Sequence, residues 1–291
     1  KIFGIESVSE ASALCASCGT LLIPKQVYRD LTISLAIEPF KGQGRLYVVG
    51  IGPGDKEHLT IKALRTLISV EAVVGYKTYL KQISSLLVGK DVYSFSMTEE
   101  LERVKRAVAL ALEGKNTALI SGGDPGIYGM SGLLLEYIMK HNLSLEVEII
   151  PGLSALNIGN ALLGAPLAND FAVISLSDRL TPWETIEKRL RLLAQSDLPL
   201  VIYNPRSKGR KQQFLNALAI IRNFREENTY VGIINSATRE DEEVIITILK
   251  DLPEEKVGMN SLLIVGSEGV KKLGSYLISQ RGYEKKYGEE L

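Results

Sequence analysis

Cysteine, histidine and tryptophan are nearly missing from this sequence of 291 residues, which has two, two and one of them respectively. Cys15 and Cys18 stand in a C-x-x-C spacing, but two thiolates supply half of a tetrahedral zinc site, and His58 and His141 are remote in the chain. The pair is read as small helix residues and no metal is assigned. Long apolar runs are also absent: none approaches the ~18 residues that cross a bilayer, and the first twenty residues lack the charged-then-apolar order of a signal peptide. A cytoplasmic protein with no membrane partner is expected. Excess charge of either sign is missing too, since 34 basic residues balance 34 acidic ones. No global field holds nucleic acid, and any acidic ligand must be caught locally.

What the sequence does contain is 45% apolar and 23% charged residues, a globular composition long enough for two modest domains. Its most informative stretch is SGGDPGIYGM, Ser121 to Met130, between an apolar strand at Thr117 to Ile120 and a helix at Ser131 to Lys140. Gly122, Gly123 and Gly126 allow positive φ and close approach of a ligand to main-chain N–H groups, and Pro125 stiffens the loop. Gly-Asp-Pro-Gly is also ordinary turn chemistry. The balance shifts because a second such turn, Gly50 to Asp55, follows the strand LYVVG, and a third, Pro151 to Ala155, follows the strand Leu145 to Ile150.

Between these turns the pattern alternates. The helix LTIKALRTLISV, the strand AVVGY, a helix from Lys77 to Leu87, a strand near Val92 to Phe95 and a helix from Glu99 to Glu113 follow one another. Leu101, Val104, Val108 and Leu112 form a stripe at helical spacing. Such alternation predicts a largely parallel sheet covered on both faces, spanning residues 45–165. Gly164 and Pro166 break the pattern. Residues 170–268 form a second, strand-rich and mixed α/β domain, with FAVISL, PLVIYN, TYVGIIN, EVIITIL and SLLIVG as strands and Pro182 to Ala194 and Lys211 to Asn223 as helices. The polar residues 269–291 are expected to form a loosely packed tail. At the other end, Ser7 or Ser9 caps a short helix through Ala16, Thr20 to Ile23 and Leu31 to Ile37 read as strands, and Pro39 to Gly44 as a linker.

Two common nucleotide motifs fail. GIGPGD places Asp55 where a dinucleotide fingerprint needs its third glycine, and AVVGY ends without the ribose-binding acid. The central loop also lacks the Gly-Lys-Ser/Thr ending of a P-loop.

GIGPGD followed by Leu59 and Thr60, GGDP at Gly122 to Pro125, and PGLSA at Pro151 to Ala155 together resemble the tetrapyrrole methyltransferases, which use S-adenosylmethionine in cobalamin and sirohaem synthesis. VGYKTYL, GGDPGIYGMSG, LGAPLANDFAVISLSD, TPWETIEKRL and YNPRSKGR are similar to the branch that methylates C17 of the corrinoid precursor and contracts its ring. The resemblance runs from about Arg45 to Gly266. It implies the class III methyltransferase fold, two α/β domains with a cleft between them, and a homodimer. The first forty residues, with GIESVSEASA, LLIPKQ and LTISLAI, resemble the end of the cobalt-precorrin-5A hydrolase carboxyl-terminal domain. A fusion of two pathway enzymes, cut near its junction, is expected to account for a chain that begins at Lys1.

By this resemblance the donor, leaving as S-adenosylhomocysteine, would contact Pro53, Gly122, Gly123, Asp124, Ile127, Ser154, Ala155, Tyr203, Asn204 and Ala237. The acceptor, a corrinoid tetrapyrrole with several carboxylates, calls for positive charge, for which Arg206, Lys208, Arg210 and Lys211 are candidates. Proton transfers during ring contraction need acid–base groups, and Asp55, His58, Tyr128 and Asp178 are candidates on the motif loops. The same scaffold also serves methylation of other tetrapyrroles, diphthine synthesis and ribosomal RNA methylation; the absence of net positive charge argues against the RNA role. A cleft that binds the donor without chemistry is the alternative from outside the enzymes.

Overall fold

The computed structural model describes residues 21–28, 31–37, 42–207, 209 and 211–290. The helix expected through Ala16, with Cys15 and Cys18, lies outside the described residues. The expected strand pair near the start is present: β1 (Leu21–Tyr28) runs antiparallel to β2 (Leu31–Ile37). Their register shifts between Ile23 and Gln26, where Pro24 has no N–H to give to a ladder.

The first large sheet contains β3 (Leu46–Gly50), β4 (Ala72–Tyr76), β5 (Asp91–Phe95), β6 (Thr117–Ser121) and β7 (Val147–Ile150). Their order is β5-β4-β6-β3-β7 and every pairing is parallel. Helices α1 (Ile61–Ser69), α2 (Lys77–Gln82), α3 (Glu100–Leu112) and α4 (Met130–Lys140) make the crossovers. Central strands of such a sheet have apolar partners on both sides, which explains why all five residues of β6 are buried. On one face Leu46, Val48, Val74 and Leu119 meet the Val104, Ala107 and Ala111 stripe of α3; on the other, Val49, Val73 and Ile120 meet Ala63 and Leu67 of α1. Thr60 starts α1 by accepting from the Ala63 N–H at 3.1 Å. The helix expected over 77–87 stops at Gln82 and continues as a 3-10 turn from Ser84 to Leu86.

Helix α5 (Ala155–Leu163) follows the third turn. It lies within the span expected for the first domain, yet it packs on the second sheet. Leu163 shares a core with Val201, Ile234, Leu262 and Ile264. Glycine makes this approach feasible: a Cβ on Gly159 would sit 2.8 Å from Leu262 Cδ2, and one on Gly232 only 2.2 Å from Leu163 Cδ1. The chain therefore crosses between sheets at the turn after β7.

The second sheet contains β9 (Ala172–Ser175), β10 (Leu200–Tyr203), β11 (Tyr230–Asn235), β12 (Glu243–Ile248) and β13 (Ser261–Val265), in the order β12-β11-β13-β10-β9. Only β9 and β10 are parallel, so the sheet is mixed. Helices α6 (Trp183–Gln195) and α7 (Lys211–Arg222) cover the face opposite α5, with Leu190, Phe214 and Ile221 buried against β10, β11 and β13.

The loose tail expected from residue 269 onward is corrected. β14 (Val270–Leu273) and β15 (Tyr276–Ser279) form a hairpin, and β15 pairs in parallel with β8 (Gly164–Ala165). Val270 and Leu277 are buried, which supplies an apolar anchor hidden in the polar composition. A short helix, α8 (Tyr283–Tyr287), follows. Among the described residues no helix is long and apolar enough to cross a membrane.

Candidate active site

Strand order creates the site. β6, β3 and β7 are neighbours, so the three glycine-rich turns that leave their carboxyl ends lie side by side. Gly52 and Gly123 exchange backbone hydrogen bonds, at 2.7 Å from the Gly123 N–H and 3.3 Å from the Gly52 N–H. Both have positive φ, +74° and +65°. Asp124 ties in the third turn: one carboxylate oxygen accepts from the Gly126 N–H at 2.8 Å and the other from the Gly152 N–H at 3.1 Å. Asn157 Oδ1 in turn accepts from the N–H of Ser154 at 3.1 Å and from its hydroxyl at 2.6 Å, fixing the start of α5.

Opposite stand the ends of β10, β11 and β13. Tyr203 accepts from the Leu156 N–H at 3.0 Å and Asn204 donates to the Ser175 hydroxyl at 3.0 Å. The Tyr203 ring lies 5.2 Å from that of Tyr128, which projects from the first sheet's central loop. Two links join the sheets at the rear: the Asp55 N–H donates to Thr238 Oγ1 at 3.3 Å, and Arg239 donates from Nε and Nη2 to the Pro53 carbonyl, both at 3.4 Å. Between these walls lies a cavity of about 230 Å³. Tyr128, Asn204 and Ser236 line it with φ of 53°, 50° and 49°, and Thr238 beside it has 63°. Non-glycine residues in that region are sparse in proteins and gather at sites that hold ligands.

Burial raises the phenol pKa values of Tyr79, Tyr128 and Tyr203 above the ordinary tyrosine value. At neutral pH all three are protonated and serve as hydrogen-bond donors or neutral walls.

The ten residues expected around the donor, Pro53, Gly122, Gly123, Asp124, Ile127, Ser154, Ala155, Tyr203, Asn204 and Ala237, all line this one cavity. Of the four acid–base candidates the structure brings Tyr128 alone to it. Asp55 and His58 face each other instead, with Oδ1 and Nδ1 2.6 Å apart, and Asp178 accepts from Gln213 Nε2 at 3.0 Å. Of the basic group, neither Arg206, which donates from Nη1 to the Glu254 carbonyl, nor Lys211, exposed at the start of α7, lines the cavity; Lys208 and Arg210 lie outside the described residues. Sequence reasoning missed Tyr79, Ile234, Ser236, Arg239 and the segment Met259 to Leu262, which complete the lining. The Ser236 to Arg239 turn carried no glycine to flag it; its position after β11, beside the Met259 to Leu262 segment that leads into β13, is legible only once the sheet order is known. Among the described residues no group of three or more His, Cys, Asp or Glu side chains is placed to hold a metal.

A two-domain α/β molecule with a cleft built from backbone turns, and a mixed second sheet closing it, has the architecture of the class III methyltransferases. The chain belongs to the Tetrapyrrole (Corrin/Porphyrin) Methylases, whose family pattern matches residues 45–253. It is 43% identical to the "Cobalt-factor III methyltransferase" of Priestia megaterium over 84% of this chain and 46% of that protein. It is 44% identical to the "Probable cobalt-factor III C(17)-methyltransferase" of Salmonella typhimurium, over 82% of this chain and 99% of that one. The chain thus spans about half the length of the first relative and nearly all of the second. Among solved structures, the methyltransferase CobJ superposes with a TM-score of 0.78 at 32% identity, covering 81% of this chain and 100% of that one. Uroporphyrin-III C-methyl transferase from Thermus thermophilus, complexed with S-adenosylhomocysteine, superposes with a TM-score of 0.61 at 26% identity, covering 77% and 97%.

Proposed function

We propose that this protein transfers the methyl group of S-adenosylmethionine to C17 of a corrinoid precursor, of the cobalt-factor III or precorrin-3B type, with contraction of the macrocycle. The observation that carries the proposal is the convergence of three backbone turns, from β3, β6 and β7, on one cavity closed by β10, β11 and β13. The names of its relatives support the same chemistry.

The cavity suits the donor. Its turns pack too closely for side chains: a Cβ on Gly122 would meet the Tyr79 ring at 2.5 Å, and one on Gly152 would meet the Gly123 carbonyl at 2.3 Å. Apolar surface from Ile127, Ala155, Ile234, Ala237 and Leu262 adjoins the polar edge of Asp124, Ser154 and Asn204, as an adenosine joined to an amino acid requires. When bound, the donor supplies an electrophilic methyl carbon on a sulfonium, attacked in line by a macrocycle carbon. The protein's task is alignment and exclusion of water, because few side chains need to react. Asp124 holds two turns in register; Tyr203 fixes α5 against the opposite wall. Tyr128, at the rim, is the acid–base candidate with access to the cavity, and its phenol carries a proton at neutral pH.

Incubation with labelled S-adenosylmethionine and cobalt-factor III tests the proposal. Methylated, ring-contracted product is expected; donor binding with no turnover on any tetrapyrrole would overturn it. Activity on metal-free precorrin-3B alone would assign the other substrate form.

A further inference from the structure

Arg239 stands out among the cavity residues. It is the sole basic side chain lining the cavity among the described residues, and none of the carboxylates described there forms an ion pair with it. Its polar contacts are two long hydrogen bonds, both 3.4 Å and both to the Pro53 carbonyl. A guanidinium has five N–H groups in a planar fork, so Nη1 and the outer hydrogen of Nη2 keep donor capacity beyond that carbonyl. The group is half-buried, where an unmatched cation is costly in proportion to its loss of water. Its backbone is anchored: the Arg239 N–H donates to the Ser236 carbonyl at 2.9 Å, and the preceding Thr238 N–H donates to Glu242 at 2.7 Å. Tyr79, packed beside Gly122, lines the same cavity, and burial raises its phenol pKa so that the hydroxyl keeps its proton.

Resting on the function proposed above, we infer that Arg239 is a carboxylate-recognition residue of this cleft, with the Tyr79 hydroxyl as a second donor. It thereby takes the role that the sequence suggested for the Arg206 group, since neither described member, Arg206 or Lys211, lines the cavity. Both ligands of the reaction carry carboxylates: the donor one, on its amino-acid end, and the acceptor several. An arginine fork pairs with either through two parallel N–H···O bonds, which a lysine cannot reproduce. Because the same side chain grips Pro53, occupancy of the fork also couples ligand binding to the contact between the two sheets.

The test compares wild type, Arg239→Gln and Arg239→Lys by calorimetry with S-adenosylhomocysteine and with its carboxamide analogue, and by steady-state kinetics with cobalt-factor III. If the donor's carboxylate is the partner, Arg239→Gln weakens S-adenosylhomocysteine at least tenfold but the carboxamide by less than twofold. If the acceptor's is, both donor analogues stay within twofold and KM for cobalt-factor III rises at least tenfold, with Arg239→Lys intermediate. Either result supports the assignment. Equal weakening of the two donor analogues marks a structural latch alone and overturns it, as does no change in any ligand. Wild type that fails to bind S-adenosylhomocysteine would instead defeat the functional proposal.

Discussion

Asp124 and Gly152 are joined across 28 residues of sequence, the carboxylate of one accepting from the N–H of the other at 3.1 Å. The contact stitches the β6 turn to the β7 turn, while the second carboxylate oxygen braces Asp124's own loop through Gly126. An ionised acceptor on backbone donors makes hydrogen bonds worth more than neutral ones, about 1.5–3 kcal/mol each. Asp124→Ala is therefore expected to lower the melting temperature and to weaken S-adenosylhomocysteine more than tenfold, about 1.4 kcal/mol. Calorimetry that shows unchanged affinity would remove Asp124 from the cradle.

Gly122 faces the Tyr79 ring with no room for a side chain. Gly122→Ala should displace that ring into the cavity and cost at least tenfold in donor affinity. In a Tyr79→Ala background the same substitution should cost less than threefold, since the obstacle is gone. A double-mutant cycle measures the difference, and additive losses would show that the two residues do not press on one another.

The three turns are legible in the sequence because glycine and proline betray backbone function there. Strand and helix alternation likewise announced the parallel sheet: apolar β6 and the Val104 and Val108 stripe of α3 have one good solution. The hidden parts have a common cause. Helix α5 has the same amphipathic character whichever sheet it packs on, and only Gly159 and Gly232, unremarkable as letters, permit its approach to β11 and β13. The β14–β15 hairpin is anchored by two buried apolar residues, Val270 and Leu277, within a polar stretch, too few to produce a period. Arg239 went unnoticed because its meaning depends on Pro53, 186 positions away.

Tyr79 and Tyr203 provide a pH signature. Burial raises both phenols above their unfolded value of about 10. A folded-state pKa above the unfolded one means that the folded protein holds its proton longer. The stability is thus fully present below about pH 10 and is lost as pH rises through the folded values. Urea midpoints should stay level from about pH 8 to 9 and fall above the unfolded tyrosine value. Tyr79→Phe should make that fall shallower; an unchanged slope would show that its phenol does not drive it.

Access to the cavity ranks the acid–base candidates. Tyr128→Phe is expected to reduce kcat at least tenfold while the S-adenosylhomocysteine affinity stays within twofold, the pattern of a lost proton donor. Asp178→Asn, whose carboxylate is engaged by Gln213 away from the cavity, should change kcat less than threefold. The reverse order in steady-state kinetics would move the proton chemistry to Asp178.

The most direct measurement is a crystal structure of the protein soaked with S-adenosylhomocysteine. The expected density lies against Pro53, Gly123 and Ser154 on one side and Tyr203 and Ala237 on the other, with no rearrangement of the three turns. A well-occupied ligand elsewhere on the molecule, with those turns bare, would contradict the assignment of this cleft.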